Sequence, residues 1–210
     1  MKASLFNNCI KKLFPICLML IVSVPHTNAQ QFELVSGNPK LFKHAGDLYL
    51  TFEYTDLHVG EYGDEEAYIE YMKDDAEKRK KGSSEAWLKK WNDARIEFFQ
   101  PKFIELFNKY SNSKKVAIDE ELNGQLYELN IHTIFIEAGY NKNGKRAPAL
   151  VDAIVTISEI NDPANKLVIS VSRAPGNEVM NSYSPDYNRI AEAYAKLGKE
   201  LAKYMGKVIY

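Results

Sequence analysis

Tyr127–Glu137 reads YELNIHTIFIE, and Ala149–Glu159 reads ALVDAIVTISE. In the first stretch Tyr127, Leu129, Ile131, Thr133 and Phe135 fall on one side, and Glu128, Asn130 and His132 on the other. In the second, Ala149, Val151, Ala153, Val155 and Ile157 form the apolar side. A period of two is the mark of a half-buried strand. Leu167–Arg173 repeats it with Leu167, Ile169 and Val171. The short links Asn141–Lys145 and Asn161–Lys166 join consecutive runs, which predicts an antiparallel meander. Leu48–Tyr54 (LYLTFEY) alternates in the same way, and Val116–Ile118 is a shorter strand.

Around these strands the period changes to that of a helix. Asp64 caps a charged segment running to Lys81, with Gly82 as its stop. Trp87, Trp91, Ala94 and Phe98 form an apolar stripe that Phe103, Leu106, Phe107 and Tyr110 continue, and Pro101 must kink or break that helix. Near the end Ser184 caps, Pro185 takes the first helical position, and Ile190, Ala193, Tyr194, Leu197, Leu201 and Met205 share a face until Gly206 stops the helix. Gln31–Lys43 reads as a mixed lead-in. The expected fold is one α+β domain over residues 30–210: a single layer of helices on a mainly antiparallel sheet of four to five strands. The helices cover the odd-residue side. The expected core is Leu50, Phe52, Trp87, Trp91, Phe98, Phe103, Phe107, Leu129, Ile131, Phe135, Val151, Val155, Ile169, Val171, Ile190, Leu197 and Leu201.

Residues 1–29 are set apart by their pattern. Lys2, Lys11 and Lys12 precede the apolar run Leu13–Val24, and Thr27-Asn28-Ala29 follows it. This predicts a signal peptide cleaved after Ala29, with the mature protein periplasmic or secreted. The run is shorter than the ~20 residues a membrane span needs. Cys17 lies inside it, not at its end where a lipidated cysteine belongs. Removal of the leader takes both cysteines, Cys9 and Cys17, and leaves 24 basic and 28 acidic side chains among 181 residues. No thiol chemistry, cofactor or metal is expected. That charge balance gives no reason to expect nucleic acid, and no transmembrane segment is expected in the mature chain.

Motifs with chemistry are few. Gly139–Arg146 matches G-x-x-x-x-G-K, but Arg146 stands where a hydroxyl must hold magnesium, and a strand follows where a phosphate loop needs a helix. Asn-Lys-Asn-Gly-Lys is hairpin chemistry instead. The acidic pairs Glu65-Glu66, Asp74-Asp75 and Asp119-Glu120-Glu121 read as solvated carboxylates. His132 lies on the polar side of its strand as a surface or cross-strand group. His58 lies in a loop after the first strand beside Asp56, Glu61 and Asp64, and there a carboxylate can tune an imidazole base. Ile134, Ile136, Leu150, Ile154 and Ile160 share the even side with His132 and Asp152. That side is too apolar for plain exposure. Either Gln31–His44 or the Asp64–Lys81 helix covers it, or it is an interface, with a homodimer as its simplest form.

Taken together, Tyr127–Gly139, Pro148–Ile157, Lys166–Arg173 and the Tyr187–Met205 helix resemble uncharacterised secreted proteins of Bacteroidetes. Val59-Gly60, Glu65-Glu66, Trp87 to Trp91 and Pro101-Lys102-Phe103 are similar to the same group. Over residues 110–205 the element order also resembles the periplasmic α/β domain of outer-membrane lipoproteins that activate cell-wall synthases, and of the curli secretion channel. The chain departs from those lipoproteins in having no cysteine placed for lipidation. The resemblance brings no activity and no site residues. The expected function is an exported cell-envelope binding or scaffolding module, its partner a protein or envelope component. A periplasmic hydrolase using His58 with Asp56 or Glu61 is the alternative.

Overall fold

Three long strands form the centre: β5 (Tyr127–Glu137), β8 (Ala149–Glu159) and β9 (Asp162–Gly176). They pair antiparallel in sequence order, as the alternation required. The computed structural model describes residues 30–112, 114–118, 125–142, 145–176 and 186–210. The expected leader, the Ser184-Pro185 cap and Asp119-Glu120-Glu121 lie outside them.

The sheet is wider than the sequence suggested and is mixed. β1 (Gln31–Ser36), β2 (Leu48–Glu53), β3 (His58–Val59) and β4 (Val116–Ala117) join it, giving seven strands in the order β1-β9-β8-β5-β2-β4, with β3 also on β5. β1 runs antiparallel to β9, but β2 and β3 run parallel to β5, and β4 runs parallel to β2. The reason lies in the connection. Between β2 and β5 the chain passes through three helices and crosses back to the end of the sheet where β2 began, as a parallel pair demands. The lead-in is therefore an edge strand, tied down by Phe32 stacking on Tyr204 with ring centroids 4.9 Å apart. A separate antiparallel pair, β6 (Tyr140–Lys142) and β7 (Lys145–Ala147), lies in the G-x-x-x-x-G-K stretch, where a strand pair and not a helix was expected.

The helices are α1 (Glu65–Arg79), α2 (Ser84–Ala94), α3 (Gln100–Tyr110) and α4 (Asp186–Val208). The Asp64 side chain accepts the Ala67 N–H at 2.8 Å, closing the first turn of α1. α2 and α3 are one stripe interrupted by a π-turn over Arg95–Phe99, in which the Gln100 N–H bonds back to the Arg95 carbonyl. The wide turn inserts one residue just before Pro101, whose ring nitrogen has no hydrogen to give an α-helix. From there the buried positions shift by one: Ala94, then Phe99, Phe103 and Phe107. Phe98, expected in the core, is only half-buried against it, as are Phe52 and Trp87. α4 runs through Gly206 to Val208, so that glycine is not a stop; with a helical φ it costs the helix entropy without ending it.

The core fills the space between the sheet's odd side and the α3–α4 pair, with Leu129, Ile131, Val151, Val155, Ile169, Leu197 and Leu201 wholly sealed. Gly198 lets the two helices close. A Cβ there would stand 2.4 Å from the Phe103 carbonyl oxygen. Among the described residues no helix is long and apolar enough to cross a membrane.

Candidate functional site

The loop singled out by its histidine is held by backbone rather than by its charged side chains. Asp56 takes a left-handed φ of 54°, which turns the chain between β2 and β3. Leu57 and Val59 then point inward and are buried, leaving Asp56, His58 and Glu61 exposed. His58 pairs with Phe135 and forms a bridge to Asp64, and the Val59 N–H reaches the Gly63 carbonyl at 2.8 Å. Asp64 spends its carboxylate on the α1 cap. Among the described residues no hydrogen bond or ion pair links His58 to Asp56 or Glu61, and no three metal-ligating side chains gather.

The even side of the sheet is shaped by two bulges that face each other across β8. On β5, Thr133 pairs with Ala153 and Phe135 with Asp152, so Ile134 is the extra residue. On β9, Ser172 and Arg173 together face the same Asp152. Arg173 adopts φ 58°, and its N–H donates to Asp152 Oδ1 at 2.6 Å. Each bulge puts two successive residues on one side and reverses the alternation beyond it. Phe135, expected in the core, is therefore half-buried on the even side, and Ile136, expected on the even-side interface, is fully buried. The same reversal buries Ala174 and Gly176 on β9.

What remains on that side is a half-buried apolar centre of Ile134, Phe135, Leu150 and Ile154, with His132 and Asp152 beside it. Around it lie Thr51, Glu128, Asn130, Thr156, Ser158, Ser170 and Ser172. Thr51 Oγ1 donates to Glu128 at 2.6 Å and accepts from Asn130 Nδ2 at 3.0 Å. His132 Nε2 sits 2.8 Å from the Thr55 carbonyl, so that nitrogen carries a proton and the ring is a cross-strand partner, as its position on the polar side suggested. Neither segment named as possible cover lies here. Of Gln31–His44, Gln31–Ser36 is paired at the sheet edge and Phe42 is sealed in the core against Tyr127, while α1 packs through Tyr68 against Trp87 and Trp91 of α2.

A buried polar cluster lies on the helix side of the sheet. Thr133 and Tyr194 share a 2.6 Å hydroxyl contact deep in the core. The Tyr54 hydroxyl is sealed beside Tyr194 and Gln100 without a well-formed hydrogen bond. The Arg95 guanidinium lies 4.7 Å from the Tyr54 ring centre and pairs with Glu65, which also accepts from the Trp91 indole. Glu65 is thus not the solvated carboxylate its neighbour Glu66 suggested. Burial pushes the phenols of Tyr54 and Tyr194 up from the usual value, so both stay neutral donors and neither serves as a base near neutral pH. Threonine in the middle of an apolar strand side was the one signal in the sequence.

Neither a protein family nor a curated protein matches this sequence. Among solved structures, the chain is similar to the PelC dodecamer from Paraburkholderia phytofirmans (TM-score 0.38, 11% identity, 82% of this chain and 97% of that one) and to a point variant of the same dodecamer (TM-score 0.34, 12% identity, equal coverage).

Proposed function

We propose that this chain is an exported cell-envelope binding module that docks a protein partner, in the simplest case a second copy of itself, through the even side of its sheet. The observation that carries the reading is the half-buried apolar centre around Ile134, Leu150 and Ile154, which no helix among the described residues covers and which is bent by bulges at Asp152. A free sheet face built only for water would alternate to polar residues there. The rim carries both signs, with Glu53, Glu128 and Asp152 against Lys166 and Arg173, which suits a surface that must complement itself about a two-fold axis. The alternative of a hydrolase at His58 with Asp56 or Glu61 is supported less, since all three side chains stand exposed and no three such groups gather among the described residues.

Light scattering with a melting curve tests the proposal. Ile134→Glu with Ile154→Glu should convert a dimer into a folded monomer, because each half-buried side already tolerates water in the free subunit. A stable dimer needs on the order of 1,200 Å² of total buried surface. A wild-type protein that is monomeric at high concentration, and that captures no envelope protein, rejects the docking reading. Loss of a measured hydrolytic turnover in His58→Ala at unchanged melting temperature establishes the alternative.

A further inference from the structure

The longest helix carries a second surface, remote from the sheet face. Lys196, Lys199, Lys203 and Lys207 recur at spacings of three and four along α4, opposite its apolar stripe. Lys203 and Lys207 form the shared wall of two concavities. One, about 580 Å³, lies between the end of α3 and the end of α4, with Tyr110, Ser111, Asn112 and Tyr210 around it. The other, about 430 Å³, lies on the opposite flank of the helix, with Lys196, Tyr204 and one acidic group, Glu200.

Positive charge is concentrated here in a chain whose net charge is −1. The ammonium groups of Lys199, Lys203 and Lys109 stand 4.7, 5.3 and 5.9 Å from the centre of one ring, that of Tyr110, and Lys114 stands 5.3 Å from that of Tyr210. Among the described residues one carboxylate is ion-paired with any of them. It is Glu200, which is shared between Lys196 at 3.2 Å and Lys203 at 3.1 Å. Lys109, Lys114, Lys199 and Lys207 have aromatic or solvent neighbours instead. Crowded like charges held this way gain from an incoming anion.

We propose that the two concavities form one extended site for an acidic glycan, a chain of sugars bearing carboxylate or phosphate groups. Its anionic groups sit on the Lys203–Lys207 saddle, and its hydroxyls reach Ser111 and Asn112 on one side and Tyr204 on the other. A lipid surface fits less well. None of the large exposed apolar side chains, such as Val35, Leu41 and Ile96, lines either concavity, and a membrane-seeking surface needs such groups to insert. Stacked bases fit less well too, because ammonium groups already crowd the Tyr110 ring.

The experiment uses the full mature chain and oligogalacturonate as probe, read by titration calorimetry at low and moderate salt, with neutral dextran and phosphatidylglycerol vesicles as parallel arms. Wild-type protein should bind oligogalacturonate, weaken about tenfold on going to moderate salt as the lysine field is screened, and ignore dextran. Lys203→Gln with Lys207→Gln should lower affinity at least about tenfold without moving the melting temperature by more than about 2 °C. Lys89→Gln, an exposed lysine of α2 paired with Asp93, should change nothing. Absence of binding at millimolar probe, or affinity unchanged in the double lysine variant, overturns the proposal. So does equal retention on the vesicles lost through the same two lysines. Each readout is independent of whether the sheet face dimerises.

Discussion

Gly198→Ala sets two known effects against each other at a point where the structure gives the distance. Alanine in a helix interior is favoured over glycine by about 1 kcal/mol. Against this, the new methyl carbon would stand 2.4 Å from the Phe103 carbonyl oxygen, with the Phe103 carbonyl carbon and Cα at 3.2 Å. The oxygen belongs to the backbone of α3, so it cannot rotate away. Restoring an ordinary contact requires α3 and α4 to part by roughly 1 Å, and overpacking of this kind costs about 1–3 kcal/mol. Parting also loosens Phe103 and Phe107, both sealed against α4 and the sheet. The clash therefore wins, with a net loss of about 1–2 kcal/mol. For a domain of this size that is a fall in melting temperature of roughly 2–8 °C. Gly206→Ala supplies the control on the same helix. No atom lies within 4 Å of a Cβ there, so the propensity gain stands alone and the melting temperature should rise by roughly 1–4 °C. Thermal and urea unfolding of both variants gives the comparison. A Gly198→Ala protein as stable as wild type, or more so, refutes the close approach of the two helices.

Thr133→Val should lose about 1–3 kcal/mol, because it leaves the Tyr194 hydroxyl sealed without its 2.6 Å partner, while Thr133→Val with Tyr194→Phe should recover much of that loss in a double-mutant cycle. Burial holds Tyr54, Tyr68 and Tyr194 above the ordinary phenol range and Tyr210 at about 12. Because the folded values are raised, this stability is complete below pH 10 and declines above it, so phenolate absorbance should appear together with loss of near-ultraviolet dichroism rather than before it. Glu200 loses solvent, which raises its pKa, but Lys203 and Lys196 outweigh this and hold it below the usual carboxylate value; side-chain NMR should show its midpoint below that of a free glutamate.

The strands that define the centre were legible because one side of each is buried and the alternation is clean up to Thr133. What alternation cannot show is an inserted residue. Counting by twos from Leu129 places Phe135 inside, and nothing in IHTIFIE marks Ile134 as the extra residue; the bulge is imposed by Asp152 and the matching irregularity on β9. A π-turn is hidden in the same way. Phe98 and Phe99 are adjacent and identical, and only the five-residue step from Ala94 selects the second. Parallel pairing was missed because no local pattern tells β2 which partner it will find after three helices. The candidate sites fared accordingly. The apolar even side was visible as sequence, though its membership changed by one residue past the bulge. The lysine ladder of α4 is present in the sequence too, at spacings of three and four, but lysines on the outer side of an amphipathic helix are the ordinary solvated pattern.

Removing Ile134 separates the two roles a bulge can have. The pairs on either side of it, Thr133↔Ala153 and Phe135↔Asp152, need no new partners when the extra residue is deleted. Beyond the deletion Ile136 still meets Val151 and still faces the core, so the inside–outside pattern is intact. One residue fewer must be ordered, which returns about 1–2 kcal/mol of backbone entropy. In the other direction, β5 straightens while β9 keeps its own bulge opposite Asp152, and the short parallel pair Val59↔Ile136 is drawn back by roughly 3.3 Å, one strand residue. These terms are of similar size, so the deletion variant should remain folded, with its melting temperature within roughly 5 °C of wild type. What it should lose is the curvature of the even side, and with it any partner that side holds. Amide NMR decides between the outcomes. Shifts confined to β3, β5 and β9, with loss of self-association, fit a bulge that shapes a surface. A collapsed spectrum would mean that Ile134 sets the register of the whole sheet, and the pairing argument above would be wrong.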